Sequence, residues 1–300
     1  MIFGMSLYEI LWFFFIYSFA GWVIEVIFHA VTFGKVINRG FLTGPVCPVY
    51  GFGVVSVFAM TYFLIQWTRA GVGTIVDVNV LYLFLTGIVI ATAIELIAGF
   101  LLDKLFNARW WDYSDRPFNL NGYICLEFSL IWGLAIAFVL RVVQPSIASL
   151  VAIIPKTVGW ISLAVIYAAY IADTIITVLT VLKMNRELQN LAKIRDSLRL
   201  VSDSLSMAIG TGTLDTMERL GNAEEEIKEK AEAKKMELEQ KKQQIIAEYT
   251  QKREDLEHKA KELQKKLKSG VLFGSLRLMR AFPSMQHKYY AYIIEELKEE

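Results

Sequence analysis

Well inside otherwise apolar stretches of the first 183 residues stand the ionisable side chains Glu25, His29, Glu95, Glu127 and Asp173. An ionisable group inside a membrane is costly, so each marks a candidate site for a proton, a cation or a polar solute. Ser18, Gly21, Glu25 and His29 recur at steps of three or four and share one helical stripe. A Glu-x-x-x-His pair can ligate a metal only with further ligands. Cys47 and Glu95 are the only nearby candidates, so no metal site and no cofactor is predicted. Gly87, Ala91, Glu95, Gly99 and Asp103 recur at every fourth position, a face of small residues carrying a carboxylate that suits close helix contact. Ala169, Asp173, Thr177 and Thr180 repeat the arrangement further on, and Cys125, Ser129, Gly133 and Ala137 make another small face. Glu127 stands roughly 200° away from that last face and reads as interfacial. The competing reading is structural, with each acid paired to an arginine or a backbone group.

Two loops supply the counter-charges. Gly34–Gly53 contains five Gly and two Pro, a shaped, non-helical segment that offers Asn38 and Arg39 as its polar groups. Arg39 suits neutralisation of Glu25 or Glu95, or a bidentate grip on a headgroup or phosphate. The other loop, Leu105–Gly122, carries Trp110, Trp111 and Tyr113, which suit a membrane–water interface, and alternates Arg109, Asp112, Asp115 and Arg116 in sign. The candidate substrate- or ion-binding residues are therefore Glu25, His29, Asn38, Arg39, Glu95, Arg109, Asp112 and Asp173.

These residues must be positioned by membrane helices. The chain has 300 residues, 31 Lys+Arg and 30 Asp+Glu. Eighteen of those charges fall in residues 1–183 and forty-three in the remainder. Five apolar stretches are long enough to cross a bilayer of about 30 Å as helices: about Leu7–Val31, Pro45–Trp67, Val80–Leu102, Gly122–Val143 and Thr157–Leu182. The first lacks a basic flank and a small-x-small cleavage site and reads as a retained span. Basic residues in short loops put the N-terminus outside and the charged tail in the cytoplasm, with Arg69, Arg141 and Lys156 in outer loops. The near-zero net charge excludes a generally basic nucleic-acid binder. The cytoplasmic placement of Cys47 and Cys125 argues against a stable disulfide.

Gly21-Trp22 with Glu25, Asn38–Gly51, Arg109-Trp-Trp-Asp-Tyr-Ser114 and Pro117–Cys125 resemble the bacterial ABC-transporter permease family of the type IV, CmpB-like group, over roughly residues 10–135. Arg280-Ala-Phe-Pro283 is similar to tails in that family. The resemblance implies an integral protein of the bacterial plasma membrane. No Gly-x-x-x-x-Gly-Lys-Ser/Thr occurs, so an ATPase would be a separate chain.

The expected fold is all-α: a polytopic bundle of about five transmembrane helices over 1–183, then a long cytoplasmic helical or coiled-coil tail. Residues 184–209 step by three and four from Leu188 to Ala208, as a short coiled coil does, and Gly210-Thr-Gly-Thr213 is expected to break it. Residues 210–269 form a charged long helix, and 270–300 an amphipathic segment that docks on the inner leaflet, the bundle or a partner. The leading functional expectation is a permease with a cytoplasm-facing acidic cavity for a small solute, ion or lipid. The alternatives are a scaffold or sensor that recruits partners, or a second copy, through its tail, and a membrane-interface enzyme. The implied surroundings are the lipid bilayer, with no nucleic acid.

Overall fold

The computed structural model describes residues 2–68, 78–219, 225–268, 275–282 and 284–299. Among these, helices α1 (Leu7–Phe33), α2 (Pro48–Thr68), α3 (Val80–Phe106), α4 (Leu126–Phe138), α5 (Gln144–Ile153) and α6 (Lys156–Arg219) follow one another, then α7 (Glu225–Lys268), α8 (Ser275–Ala281) and α9 (Ala291–Glu299). Strands are confined to two-residue pairs. β2 (Asn119–Leu120) pairs with β3 (Ile124–Cys125), and β1 (Ala108–Arg109) pairs antiparallel with β4 (Gln286–His287). The chain divides into two compact units, one of Met1–Lys183 with Gly270–Glu300, the other of Met184–Ser269.

In the first unit, four helical runs are long and apolar enough to cross a membrane: Leu7–Phe33, Val80–Phe106, Leu126–Ile153 and the run beginning at Lys156. The expected fifth, α2, has a shorter described apolar stretch, Pro48–Phe63, and packs on both α1 and α3. Helix α1 starts at a capping box: Ser6 Oγ accepts from the Glu9 amide, and the Glu9 carboxylate accepts from the Ser6 amide at 2.8 Å. A core of Phe13, Tyr17, Val57, Phe58, Leu83 and Leu140 joins α1 to α5. Much of the remaining apolar surface, such as Ile24, Ile27, Val89 and Ile97, faces outward, as lipid contact requires.

The small-residue faces are where backbones approach. A methyl group on Gly87 would meet Ile136 at 3.1 Å, and one on Gly133 would collide with Ile88, so α3 and α4 touch through their glycines. A methyl on Gly21 would overlap the Tyr50 ring, which locks α1 against α2.

Two expected helix ends are corrected. The fourth span does not stop at Val143. A π-helical turn over Val139–Val143, closed by Gln144 N–H on the Val139 carbonyl, carries it into α5 despite Pro145. The wide turn absorbs the missing proline donor and delivers Gln144 to Tyr17, whose hydroxyl donates to it at 2.5 Å. Arg141 thus lies within helix, donating to the Val78 carbonyl at 3.4 Å, and not in an outer loop. Nor do Gly210 and Gly212 end α6, which runs to Arg219, because glycine weakens a helix by only about 1 kcal/mol and no proline intervenes. Arg69, residues 220–224, Val271-Leu-Phe and Pro283 lie outside the described residues.

In the second unit, Met184, Leu188, Leu191 and Val201 form the buried stripe of α6, while α7 is laced by exposed Glu237–Lys241 and Arg253–Glu257 pairs at 2.6 and 2.8 Å.

Candidate functional site

The first loop ties α1 to α2 and α6. Trp22 on α1 donates its indole N–H to Asn38 Oδ1 at 2.7 Å; the same oxygen accepts the Gly40 amide at 2.9 Å, and Asn38 Nδ2 donates to the Thr43 carbonyl at 2.6 Å. With its amide fully used, Asn38 is the knot of the loop. The amides of Thr43 and Gly44 both donate to Asp173 on α6, at 3.0 and 2.7 Å, and Thr177 Oγ1 donates to it at 3.2 Å. Asp173 is therefore a loop anchor, capping two N–H groups that no helix or sheet satisfies. A methyl on Gly44 would stand 3.1 Å from that carboxylate, so the spacing suits glycine.

Glu25 and Arg39 come together. Arg39 Nε lies 3.5 Å from Glu25 Oε2, and the Tyr50 hydroxyl donates to Glu25 Oε1 at 2.7 Å. Glu95 on α3 receives the Tyr113 hydroxyl at 3.1 Å and has the Trp132 indole N–H as a second donor neighbour, while its Oε2 is buried. Aromatic rings wall both acids: Tyr50 stands edge-on to Trp132 at 5.6 Å, and Tyr113 stacks on Phe128 at 4.8 Å. Burial pushes the Tyr113 hydroxyl well above its ordinary pKa, and the charge and hydrogen bond of Glu95 reinforce the shift, with Glu25 adding to it. Trp132 touches both pairs, its ring against Tyr50 and its indole N–H beside Glu95. A carboxylate buried inside a membrane helix can take a proton or a small cation.

The other candidates sit elsewhere. Arg109, on β1, lies 3.8 Å from Asp103 and 3.7 Å from Asp112, with its guanidinium 5.0 Å from the centre of the Tyr123 ring. Asp112 also accepts from the Ser114 amide at 3.0 Å and hydroxyl at 2.5 Å. Both belong to a network within the second loop, Asn107–Tyr123, not to the Glu25–Glu95 tract. His29, 2 % exposed, places Nδ1 2.8 Å from the Lys35 carbonyl and closes the end of α1. Glu127 is exposed and pairs with Arg116 at 3.2 Å. Cys47 and Cys125 are free and buried. No group of three metal-ligating side chains is present among the described residues.

Tyr50 and Tyr113, which address the two acids, escaped sequence reasoning, because a tyrosine in an apolar stretch and one beside two tryptophans read as packing and interfacial belt. Arg277 escaped too: it carries the buried charge of α8 and donates to three carbonyls of the first loop. The apolar-basic pattern Leu276-Arg-Leu-Met-Arg was its only trace.

No curated protein and no solved structure matches the chain. The family model described as "Putative ABC-transporter type IV" matches residues 12–178. That span holds Glu25, Arg39, Tyr50, Glu95, Tyr113 and Asp173 and covers more than half of the chain, which belongs to this family of ABC-transporter-type, multi-pass membrane proteins.

Proposed function

We propose that the protein is a permease whose polar tract, Glu25–Tyr50 and Tyr113–Glu95, passes a small solute or ion across the membrane with uptake of a proton or small cation by its acids. The observation that carries this reading is the buried Glu95 carboxylate inside an apolar helix, held by the Tyr113 hydroxyl at 3.1 Å, with Trp132 touching both Glu95 and the Tyr50 ring that donates to Glu25. Arg39 balances Glu25 and leaves Glu95 as the acid that exchanges its proton. The loop basic residues support an orientation with the N-terminus outside and Met184–Ser269 in the cytoplasm.

The test is proton flux in proteoliposomes that enclose a pH-sensitive dye, driven by a potassium diffusion potential. Glu95→Gln abolishes the flux and Glu25→Gln reduces it, while both variants insert and fold. Flux unchanged in both variants rejects the reading.

A scaffold reading is favoured by one separate feature. The charged unit Met184–Ser269 is compact in itself. If recruitment is the role, replacing exposed charges of α7 removes the cellular phenotype while flux persists.

A further inference from the structure

The carbonyls of three consecutive residues, Gly40, Phe41 and Leu42, converge on a single guanidinium. Arg277 Nη1 donates to Gly40 O at 2.9 Å and Leu42 O at 3.1 Å, and Nη2 donates to Phe41 O at 2.7 Å. Arg277 is 8 % exposed, and no carboxylate lies within ion-pair distance of it among the described residues. A buried permanent cation satisfied by backbone carbonyls alone is the arrangement by which carbonyl rings replace the hydration shell of an ion. Asp173 acts on the same loop through the Thr43 and Gly44 amides and adds a favourable field.

The loop that carries the cage has anchors other than Arg277. The Gly40 amide is fixed by Asn38, which is fixed by Trp22. Thr43 and Gly44 are fixed by Asp173; the Val46 amide donates to the Gly44 carbonyl and the Cys47 amide to the Ser18 carbonyl, each at 2.8 Å. Every one of these anchors belongs to residues 18–173. The tail contributes the occupant, and its other attachments go to the second loop: Phe282 packs on Trp110 at 4.9 Å, the Lys288 amide donates to the Asn107 carbonyl at 2.8 Å, and β4 pairs with β1.

We infer that the Gly40–Leu42 carbonyl cage is a preformed binding site for a monosubstituted guanidinium, filled in this chain by its own Arg277. The fork sets the selectivity. Two coplanar nitrogens address the three oxygens from separate points, whereas an ammonium, which also has three N–H donors, must direct them all from one nitrogen. The same chemistry is offered by the tethered tail and by a free guanidinium cation, and tethering favours the tail through its high effective concentration. This inference stands apart from the Glu25–Glu95 reading, and the two fail separately.

The experiment uses the full-length protein in detergent micelles with methylguanidinium as probe and methylammonium at equal concentration as control, read by thermal melting. Arg277→Ala melts lower than the parent chain, and methylguanidinium raises its melting temperature while methylammonium does not. The parent chain binds the probe at least about tenfold more weakly, because Arg277 already fills the cage. Arg277→Lys keeps a charge to support folding and shows the same preference for the guanidinium. An equal response to both cations, or equal binding by the parent chain and Arg277→Ala, overturns the inference. So does failure of both variants to fold, since the cage would then depend on Arg277 for its shape.

Discussion

At the scale of single residues, two partners decide what a charged group does: the one that satisfies it and the one that is missing. Glu95 is held by the Tyr113 hydroxyl and by the Trp132 indole. Removing the hydroxyl in Tyr113→Phe leaves a buried carboxylate short of a donor and costs about 1–3 kcal/mol. Combining it with Glu95→Gln recovers part of the loss, because the amide carries no charge. A double-mutant cycle on thermal unfolding reads the coupling, expected at about 0.5–3 kcal/mol.

His287 presents the converse case. It is 3 % exposed; its Nδ1 accepts the amides of Tyr289 and Tyr290 at 3.2 Å each, and its ring stacks on Tyr290 at 4.9 Å. Both bonds require an unprotonated Nδ1, and burial lowers the pKa from the ordinary histidine value. The undocked segment therefore binds the proton more readily, and docking strengthens as pH rises. Hydrogen exchange at residues 286–290 should accelerate as pH falls below about 6.5, the unperturbed histidine value, once corrected for intrinsic rates. His287→Phe should remove that dependence. An unaltered pH profile in His287→Phe counts against it.

At the scale of elements, close approach rather than hydrophobicity selects which helices pair. The α1–α2 contact leaves no room for a side chain at Gly21, where Tyr50 lies, and Tyr50 is the residue that donates to Glu25. Gly21→Val overpacks this contact, costs about 1–3 kcal/mol and pushes Tyr50 away from the acid. Gly53→Ala, on the same α2 but with nothing within 4 Å of the added methyl, is neutral or stabilising by up to about 1 kcal/mol. Thermal melting of the two variants side by side checks the contrast. The glycine stripes were legible as contact faces from their four-residue spacing. The π-helical turn over Val139–Val143 was not, because a proline at position 145 reads locally as a helix end, and only the buried Tyr17–Gln144 bond shows why the helix continues.

At the scale of the whole molecule, the membrane unit is assembled from both ends of the chain. Residues 270–300 belong with 1–183, although the charged unit Met184–Ser269 separates them in sequence. Both loops, Gly34–Cys47 and Asn107–Tyr123, are therefore bound by one C-terminal segment, through Arg277 and through β4. Deleting residues 275–300 should expose both loops to limited proteolysis while leaving the spanning helices protected. Cleavage confined to one loop would show that the segment holds only that loop.

The sequence by itself determined the membrane character, the helical class, the close helix faces and the acids worth watching, because hydropathy, small-residue spacing and the cost of buried charge are local or periodic properties. It also placed the two polar loops beside those acids. Only the tertiary structure decided how each charge is used. Asp173 and Asn38 hold a loop, Arg109 and Asp112 pair within another, and Glu25 and Glu95 are left to two tyrosines. The pairing of Gly40–Leu42 with an arginine more than two hundred residues away was beyond any local pattern. A carbonyl cage is made of backbone, and backbone carbonyls carry no residue type that could announce them.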